Sequence, residues 1–372
     1  GAFINACRHK GATVCRLEQG KAKFHVCPYH GWAYDSSGRI VDIKDRAAGA
    51  YAPAFDAENH DLIRVAKVAS YKGMVFGSLS TDVPPLDEYL DGMKFFLDAH
   101  LEQGAKGMEV IGGRALYTYR GNWKMQLENV LDPYHFTTTH AVLGILQQRR
   151  AQGAGHGEGR NWDWKKRDQM RAGAFEFRHG HASGWVDMAE PEKRPIFEQL
   201  GELRARVGEV RAEWMFKQRN GVVFPNLQVS DSVTPILRTF RPISVNLTEL
   251  CSYVLAPVGE APEKRAWRLR QFEDTVNPGG FATPDDAVVY TECQNGLAAP
   301  GVEWLQAYER GLAARQPGGN EVAREIGVDP VASVLGQRPL QQETGTHAPW
   351  REWVRLMSAG LAGRPAFEGG MK

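Results

Sequence analysis

The chain has 372 residues, of which 42% are hydrophobic, so it can bury substantial cores and is expected to form two domains. Its 45 Lys and Arg against 44 Asp and Glu give a net charge of +1. The sequence has no basic block long enough to follow a phosphate backbone, so nucleic-acid binding is not expected. No apolar run reaches the roughly 18 residues of a membrane span. Five cysteines are sparse and odd in number for a disulfide framework, which indicates a reducing compartment. We therefore expect a soluble, cytoplasmic protein.

Short β-like runs separated by glycine fill the chain up to about Ser80, namely "AFINAC", "AKFHV", "GRIVDI" and "LIRVAKVASYKGMVFGSL". The first run lacks a starting methionine, so we expect an N-terminal piece to be missing. Two prolines in "TDVPPLDEYL" then mark a boundary and a helix start. The sequence therefore predicts a small all-β domain over residues 1–80 and a second domain over residues 81–372.

The second domain begins with a predicted helix through "MKFFLDAHL" and a strand, "ALYTYRG", and Asn122 is a plausible N-cap for the helix "WKMQLENVL". Residues 148–170 are polar and glycine-rich and predict a surface loop, whereas 192–219 predicts a charged helix. Strands return in "GVVFPNLQVS", "ILRTFRPI" and "TELCSYVLAPV", and the tail from Asp285 is predicted to be helical. This mixture predicts an α+β domain with an antiparallel sheet.

Two Cys-His pairs lie within the first 30 residues: Cys7 with His9, and Cys27 with His30. Two thiolates and two imidazoles form a complete ligand set, which a structural zinc ion or a Rieske-type [2Fe–2S] cluster accepts. Glycines beside both pairs let the backbone approach inorganic sulfides, which favours the cluster. Between the pairs, Cys15 is interpreted as a buried thiol, and His25 as structural.

A second candidate site lies in "LDPYHFTTTH", where Asp132, His135 and His140 fall within nine residues. Positions five apart are about 140° apart on a regular helix, so the two histidines can share a metal only if the helix is distorted near Pro133. Two histidines and a carboxylate are the ligands of non-haem iron(II). The carboxylate candidates are the pair Asp285 and Asp286, because the pair in "RQFEDT" is interpreted as solvated side chains at a strand end.

Together these motifs resemble the large (α) subunits of the Rieske non-haem iron aromatic ring-hydroxylating dioxygenases, and among them the benzoate, toluate and anthranilate group. The resemblance covers essentially the whole chain, in the order "FINACRHKGA", "CPYHGW", "YKGMVFGSL", "GNWKMQLEN", "DPYH", "RPISV", "RQFED" and "ATPDD". It implies a terminal oxygenase component that uses O2 and electrons to convert an aromatic carboxylate into a cis-dihydrodiol.

Site residues and partners follow from this resemblance residue by residue. It implies that Asp132 bridges the iron site to the cluster of a neighbouring subunit and that Arg238 holds the substrate carboxylate. It also implies a small β subunit in an α3β3 oligomer and an NADH-dependent flavin reductase, with or without a separate ferredoxin. The implied metal ligands are Cys7, His9, Cys27 and His30 for the [2Fe–2S] cluster, and His135, His140 and Asp286 for Fe(II).

Several alternatives stay open from sequence alone. A proline at Pro133, where benzoate-type enzymes usually have glycine, leaves the aromatic acid unassigned. Monohydroxylation or demethylation suits the same sites, and a non-enzymatic zinc-binding or electron-carrier module belongs to another class. Arg238 is equally well read as a strand arginine in a surface ion pair. His179 and His181, two apart on a predicted strand, are interpreted as structural or pocket-lining, and Asp132 alternatively only caps the broken helix.

Overall fold

The glycine-punctuated N-terminal runs and the longer mixed region fold as separate compact units in the computed structural model. One unit comprises Gly1–Glu88 and the other comprises Tyr89–Arg364. The structure describes residues 1–153, 169–188, 190–302, 305, 309–336 and 343–363. Within these residues no helix is long and apolar enough to cross a membrane.

Short strands with tight glycine turns build the first unit, as the sequence predicts. β1 (Phe24–Val26), β2 (Ala33–Asp35) and β3 (Ile40–Asp42) form an antiparallel sheet, and β4 (Lys67–Tyr71) pairs with β5 (Met74–Ser78) in a hairpin. The prediction of a strand in "AFINAC" is wrong, because this run forms only an isolated bridge, between Phe3 and Arg64. The small core contains both predicted cluster cysteines, its buried residues being Cys7, Val14, Cys27, Trp32, Tyr34 and Ile43.

The second unit is organised around one antiparallel sheet, which has ten strands among the described residues. Its order is β14-β15-β8-β9-β10-β11-β12-β13-β6, and β7 also pairs with β13. The strands are β6 (Met108–Val110), β7 (Ala115–Tyr119), β8 (Ala172–Glu176), β9 (Ala182–Val186), β10 (Gln218–Val223), β11 (Leu227–Ser230), β12 (Ile236–Ser244), β13 (Leu247–Pro257), β14 (Arg315–Pro317) and β15 (Ala332–Gly336).

Helices accompany this sheet, so the predicted α+β class is confirmed. A core joins the helix after Asn122 to the strands β7, β10, β12 and β13 through Leu127, Tyr119, Val222, Phe240 and Leu250. The described helices are α1 (Leu86–Leu90), α2 (Met93–Leu101), α3 (Trp123–Asn129), α4 (Phe136–Thr139), α5 (Ala141–Ala151), α6 (Leu200–Val207), α7 (Glu209–Trp214), α8 (Pro262–Thr275), α9 (Thr283–Leu297), α10 (Glu321–Ile326) and α11 (His347–Leu361).

Several expected elements differ from the structure. The charged helix predicted over 192–219 is two helices, α6 and α7, because Gly208 between them has a positive φ of 85°. Strands β14 and β15 lie in the tail that was expected to be helical. The helix α5 extends to Ala151, so the loop predicted over 148–170 is wrong at its start, and its residues 154–168 lie outside the described residues.

The run "RQFEDT" is also not a strand end. It closes helix α8, where Asp274 is 9% exposed and forms ion pairs with Arg150 at 2.8 Å and Arg270 at 3.0 Å. Asp274 is therefore not a solvated side chain, although its neighbour Glu273 is exposed.

Two buried polar residues of the second unit are paired with specific partners. Asp231 accepts hydrogen bonds from Arg194, Arg219 and Gln103 at 2.5, 2.5 and 3.0 Å. Burial acts to raise the pKa of this carboxyl, but the two guanidinium groups outweigh it and lower the pKa to about 2. Its charge is thus retained in the core, where an unpaired carboxylate would be strongly destabilising.

His181 is a second buried polar group and must be neutral to keep its contacts. Its Nε2 donates to the carbonyl of Tyr89 at 2.7 Å, and its Nδ1 accepts from the backbone N–H of Phe224 at 3.0 Å. Burial lowers the pKa of His181 to about 3. A second ring proton would also displace the hydrogen bond from Phe224. His181 is therefore structural, one of the two roles predicted for it.

We expect the free energy of unfolding of the second unit to fall as the pH drops below about 6.5, the ordinary pKa of histidine. Below that pH the unfolded chain protonates His181 while the folded chain does not, so the stabilisation is complete above pH 6.5 and is lost on acidification. At pH 5 the loss from this residue amounts to about 2 kcal/mol. Urea denaturation followed by tryptophan fluorescence should show a smaller loss between pH 7.5 and 5 in His181→Gln. An equal loss in both proteins would contradict the assignment.

Candidate active site and metal centres

A broken helix presents the two histidines of the predicted iron site. Asn122 caps α3 through its side chain, which accepts from the N–H of Lys124, and α3 ends at Asn129 before Pro133. The four-residue helix α4 follows, with His135 at its N-cap and His140 at its C-cap. At His140 the backbone leaves helical geometry (φ −103°, ψ 29°) before α5 begins. The predicted distortion is therefore a break between two helices.

The carboxylate comes from the start of α9, which begins at Thr283 with Pro284 in its first turn. Oδ1 of Asp286 lies 3.2 Å from Nε2 of His140 and 3.6 Å from Nε2 of His135. One ligand atom from each of these three residues lies within 4.8 Å of the other two. Two imidazoles and one carboxylate are the donor set of non-haem iron(II), so these residues fit that metal.

Asp132 orients the first of these histidines. Its Oδ2 accepts from Nδ1 of His135 at 3.0 Å, and its Oδ1 accepts from the backbone N–H of Tyr134 at 2.7 Å. A proton on Nδ1 leaves Nε2, the nitrogen that faces Asp286, free to bind a metal. Burial acts against a charged imidazole, but the hydrogen bond of Asp132 and the nearby charges of Asp286 and Asp132 outweigh it and raise the pKa of His135.

Asn129 belongs to this site but was not predicted. Its Nδ2 lies 3.2 Å from Nε2 of His135 and donates to Oδ1 of Asp286 at 3.0 Å. The asparagine stands at the end of α3, six residues before His135, and nothing in a single sequence distinguishes it from a helix-terminal residue. Only the convergence of α3 with α9 brings it to the ligands.

A cavity of 170 Å³ adjoins the histidines and Asp286. Apolar side chains line part of it, among them Leu131, Phe136, Leu143 and Ile236. Its polar lining comes mainly from neighbouring sheet strands and from helix ends, and includes Gln147, Gln218, Asn220, Gln228, Ser230, Ser232, Arg238, Thr275 and Thr283.

Arg238 on β12 is 5% exposed and lines this cavity, so the alternative of a surface ion pair is wrong. Its Nε donates to Oγ of Ser252 at 3.0 Å, and one Nη donates to Oγ1 of Thr283 at 3.1 Å and to the carbonyl of Val276 at 2.6 Å. Every one of these acceptors is neutral, and Arg238 has no carboxylate partner within the described ranges. A buried guanidinium that lacks a counter-ion is suited to binding an anion.

The two Cys-His pairs in the first unit form matching loops. The N–H of Gly11 donates to the carbonyl of Cys7 at 2.9 Å, and the N–H of Gly31 donates to that of Cys27 at 3.1 Å. Both glycines have positive φ, 75° and 76°, which explains glycine at these turns. The rings of His9 and His30 meet edge to face, with centroids 4.4 Å apart.

The second loop favours a thiolate at Cys27. Burial acts to raise the pKa of Cys27, but the backbone N–H groups of Tyr29 and His30 and the neighbouring Cys7 outweigh it and lower the pKa. The hydroxyl of Tyr34 lies 3.2 Å from Sγ of Cys7. Amide and hydroxyl donors around sulfur suit an iron–sulfur cluster.

The donor set of the two loops fits an iron–sulfur cluster. Two buried cysteines and two neighbouring histidine rings offer two thiolates and two imidazoles, the ligands of a two-iron cluster in which histidines replace two cysteines on one iron.

Other residues singled out from sequence lie outside both sites. Cys15 is exposed, so the expected buried thiol is wrong, and its Sγ lies 3.4 Å from Nδ1 of His25. His179 and His181 do not share a strand face, because His179 lies in a 3₁₀ turn before β9 with a φ of 59° and stacks on Tyr89. Neither histidine lines the cavity.

Comparison with known proteins places the chain in a family. Residues 1–71 match the model of the Rieske [2Fe-2S] domain, and residues 97–358 match that of the ring hydroxylating alpha subunit (catalytic domain). The chain is 39% identical to toluate 1,2-dioxygenase subunit alpha of Pseudomonas putida over 89% of this chain and 73% of that protein. It is 36% identical to the 2-halobenzoate 1,2-dioxygenase large subunit of Burkholderia cepacia over 98% of this chain and 78% of that protein.

A solved structure shows the same fold. Naphthalene 1,2-dioxygenase from a Rhodococcus species, bound to indole, superposes with a TM-score of 0.76 at 25% identity, over 96% of this chain and 80% of that chain. The names of the relatives, subunit alpha and large subunit, are those of components of multi-subunit enzymes. The chain belongs to the α subunits of the Rieske ring-hydroxylating dioxygenases, which carry a [2Fe–2S] cluster and a catalytic non-haem iron.

Proposed function

We propose that this α subunit dihydroxylates a one-ring aromatic carboxylate to a cis-dihydrodiol, using O2 and electrons from a reductase. The observation that carries the substrate class is the buried, anion-free guanidinium of Arg238 in the cavity that adjoins His135, His140 and Asp286. Relatives named for toluate and 2-halobenzoate, both aromatic acids, support the same class. Residues 1–80 are assigned to the Rieske domain and residues 81–372 to the catalytic domain.

The size of the cavity supports a single ring. A cavity of about 150 Å³ is known to hold benzene, and the cavity here measures 170 Å³. Apolar contacts from Leu131, Phe136 and Leu143 suit the face of a ring, while Arg238 anchors its carboxylate through the Nη that makes no hydrogen bond among the described residues.

The metal-binding roles follow the fit of each donor set. Cys7, His9, Cys27 and His30 hold the [2Fe–2S] cluster, and His135, His140 and Asp286 hold Fe(II). Iron supplies the activation of O2, and the cluster supplies electrons one at a time. The chain itself orients the reaction: Asp132 holds the proton on Nδ1 of His135, and Arg238 fixes the ring beside the metal.

Asp132 is assigned a second role in electron transfer. Its carboxylate is bound on one side by Nδ1 of His135 and is 21% exposed, so it can accept a further hydrogen bond from a cluster histidine of a neighbouring subunit. We assign the chain to a cytoplasmic α3β3 oligomer with a small β subunit, supplied by an NADH-dependent flavin reductase, with or without a separate ferredoxin.

The complete enzyme, supplied with reductase, NADH, benzoate and ¹⁸O2, is expected to give a cis-diol that contains both labelled atoms. One labelled atom would instead indicate monohydroxylation. Arg238→Met should raise the KM for benzoate about a hundredfold, because two charged hydrogen bonds are lost, with little change for toluene. Arg241→Met is the matched control, since Arg241 is an exposed arginine of the same strand. Equal losses with benzoate and toluene would contradict the role of Arg238.

The iron ligands are tested by His140→Ala. Loss of one imidazole from a three-residue site should remove the mononuclear iron and abolish turnover, while acid-labile sulfide and the visible spectrum of the cluster are retained. Iron analysis and EPR of the reduced enzyme measure both centres. His179→Ala, which removes a histidine outside the cavity, should keep all the iron. Simultaneous loss of the cluster would show that His140 acts through folding.

The bridging role of Asp132 is tested by Asp132→Asn. Asparagine caps a helix about as well as aspartate, so the hydrogen bond to Tyr134 is retained. The charge that orients His135 and binds the neighbouring cluster is lost. Stopped-flow reduction should show a normally reducible cluster, bound iron and an intact oligomer, with cluster-to-iron transfer slowed about a hundredfold. Transfer at the wild-type rate would leave Asp132 with capping alone.

A further inference from the structure

Three neighbouring strands place a row of polar side chains along one side of the cavity. On β10 and β11, Asn220 lies opposite Ser230, and on β11 and β12, Gln228 lies opposite Arg238. Residues two apart on a strand share a face, so these side chains face the same side of the sheet. All four line the cavity that contains the iron ligands.

Asn220 is held in one orientation by two serines. Its Oδ1 accepts from Oγ of Ser230 at 2.6 Å and from Oγ of Ser232 at 3.0 Å. With both hydroxyl groups on the oxygen, Nδ2 carries the remaining hydrogen-bonding capacity of the amide. Nδ2 has no partner in the part of the chain that the structure describes. A neutral N–H donor is therefore fixed in the wall of the cavity and left for a ligand.

Asn220 is well separated from the carboxylate anchor. It is two strands and one two-residue step away from Arg238, which corresponds to about 12 Å between Cα atoms at regular sheet spacings. Gln228 lies between them, directly opposite Arg238, and its amide is held through its Oε1 by Gln126 at 2.7 Å. The two substituents of an ortho-substituted ring lie side by side, so a substituent that reaches Asn220 from a carboxylate at Arg238 stands on a non-adjacent carbon.

We propose that Asn220, positioned by Ser230 and Ser232, binds an oxygen substituent on the ring of the substrate. The substrate class is then an aromatic acid that carries a hydroxyl or similar oxygen at a carbon not adjacent to the one bearing the carboxylate. This inference rests on the proposed function, because it takes Arg238 as the carboxylate anchor. A methyl group of the same size would leave the N–H of Asn220 buried without a partner, which disfavours its binding.

Binding without turnover tests this assignment. Isothermal titration of the complete oxidised enzyme, without O2 or reductant, compares 3- and 4-hydroxybenzoate with 3- and 4-methylbenzoate. At one of the two ring positions the hydroxy acid should bind at least about tenfold more tightly than the methyl acid. If the acids bind without this preference, the role of Asn220 is wrong and the proposed function stands. If none of the four acids binds, the proposed function fails and this inference fails with it.

Asn220→Leu removes the donor. Leucine keeps the branched shape of the side chain but has neither an N–H nor an oxygen, so it makes no hydrogen bond to the substituent. The ratio of affinities between hydroxy and methyl acids should fall to about one. Asn226→Leu, in the exposed turn between β10 and β11, makes the same chemical change outside the cavity and should keep the wild-type ratio. A ratio unchanged in Asn220→Leu would overturn the proposal.

Discussion

The interruption of the helical segment at His140 is the constraint on which the iron site depends. A continuous helix would turn His135 and His140 about 140° apart, so that both could not face one ion. The chain instead ends α4 after four residues, and His140 occupies the junction with φ −103° and ψ 29°. Pro133, which follows the end of α3, interrupts the chain differently, because it has no backbone donor. Local backbone geometry thus sets the direction of both imidazoles before any metal binds.

Hydrogen bonds then determine which ring nitrogen of His135 faces Asp286. Asp132 binds Nδ1 of His135, which leaves Nε2 to face Asp286 across the gap between α4 and α9. Asn129 contacts both residues and so ties α3 to α9. The carboxylate of Asp132 also accepts from the backbone N–H of Tyr134. It therefore caps this turn and orients His135 at the same time. An outer carboxylate of this kind strengthens a histidine ligand by holding its other nitrogen.

Residues whose chemistry is local could be found from sequence, whereas residues brought together by strand register could not. The positions of His135 and His140 and the helix start before Asp286 were visible because spacing, proline and residue type carry the signal. Asn220 was invisible, because its role depends on which residue stands opposite on β11. The misread "RQFEDT" had a usable signal upstream, since Pro262 at the first turn marks the start of α8.

The buried arginines of the second unit are of two kinds, which differ in whether a carboxylate of the fold pairs with them. Arg219 pairs with Asp231, and Arg268 pairs with Glu260 at 2.8 Å, so each charge is compensated within the fold. Arg238 is equally hidden but meets only neutral oxygens among the described residues. An uncompensated buried charge is destabilising, and a fold that needed only packing would be better served by an apolar side chain there. Its counter-ion is therefore expected from outside the chain, and under the proposed function that counter-ion is the substrate carboxylate.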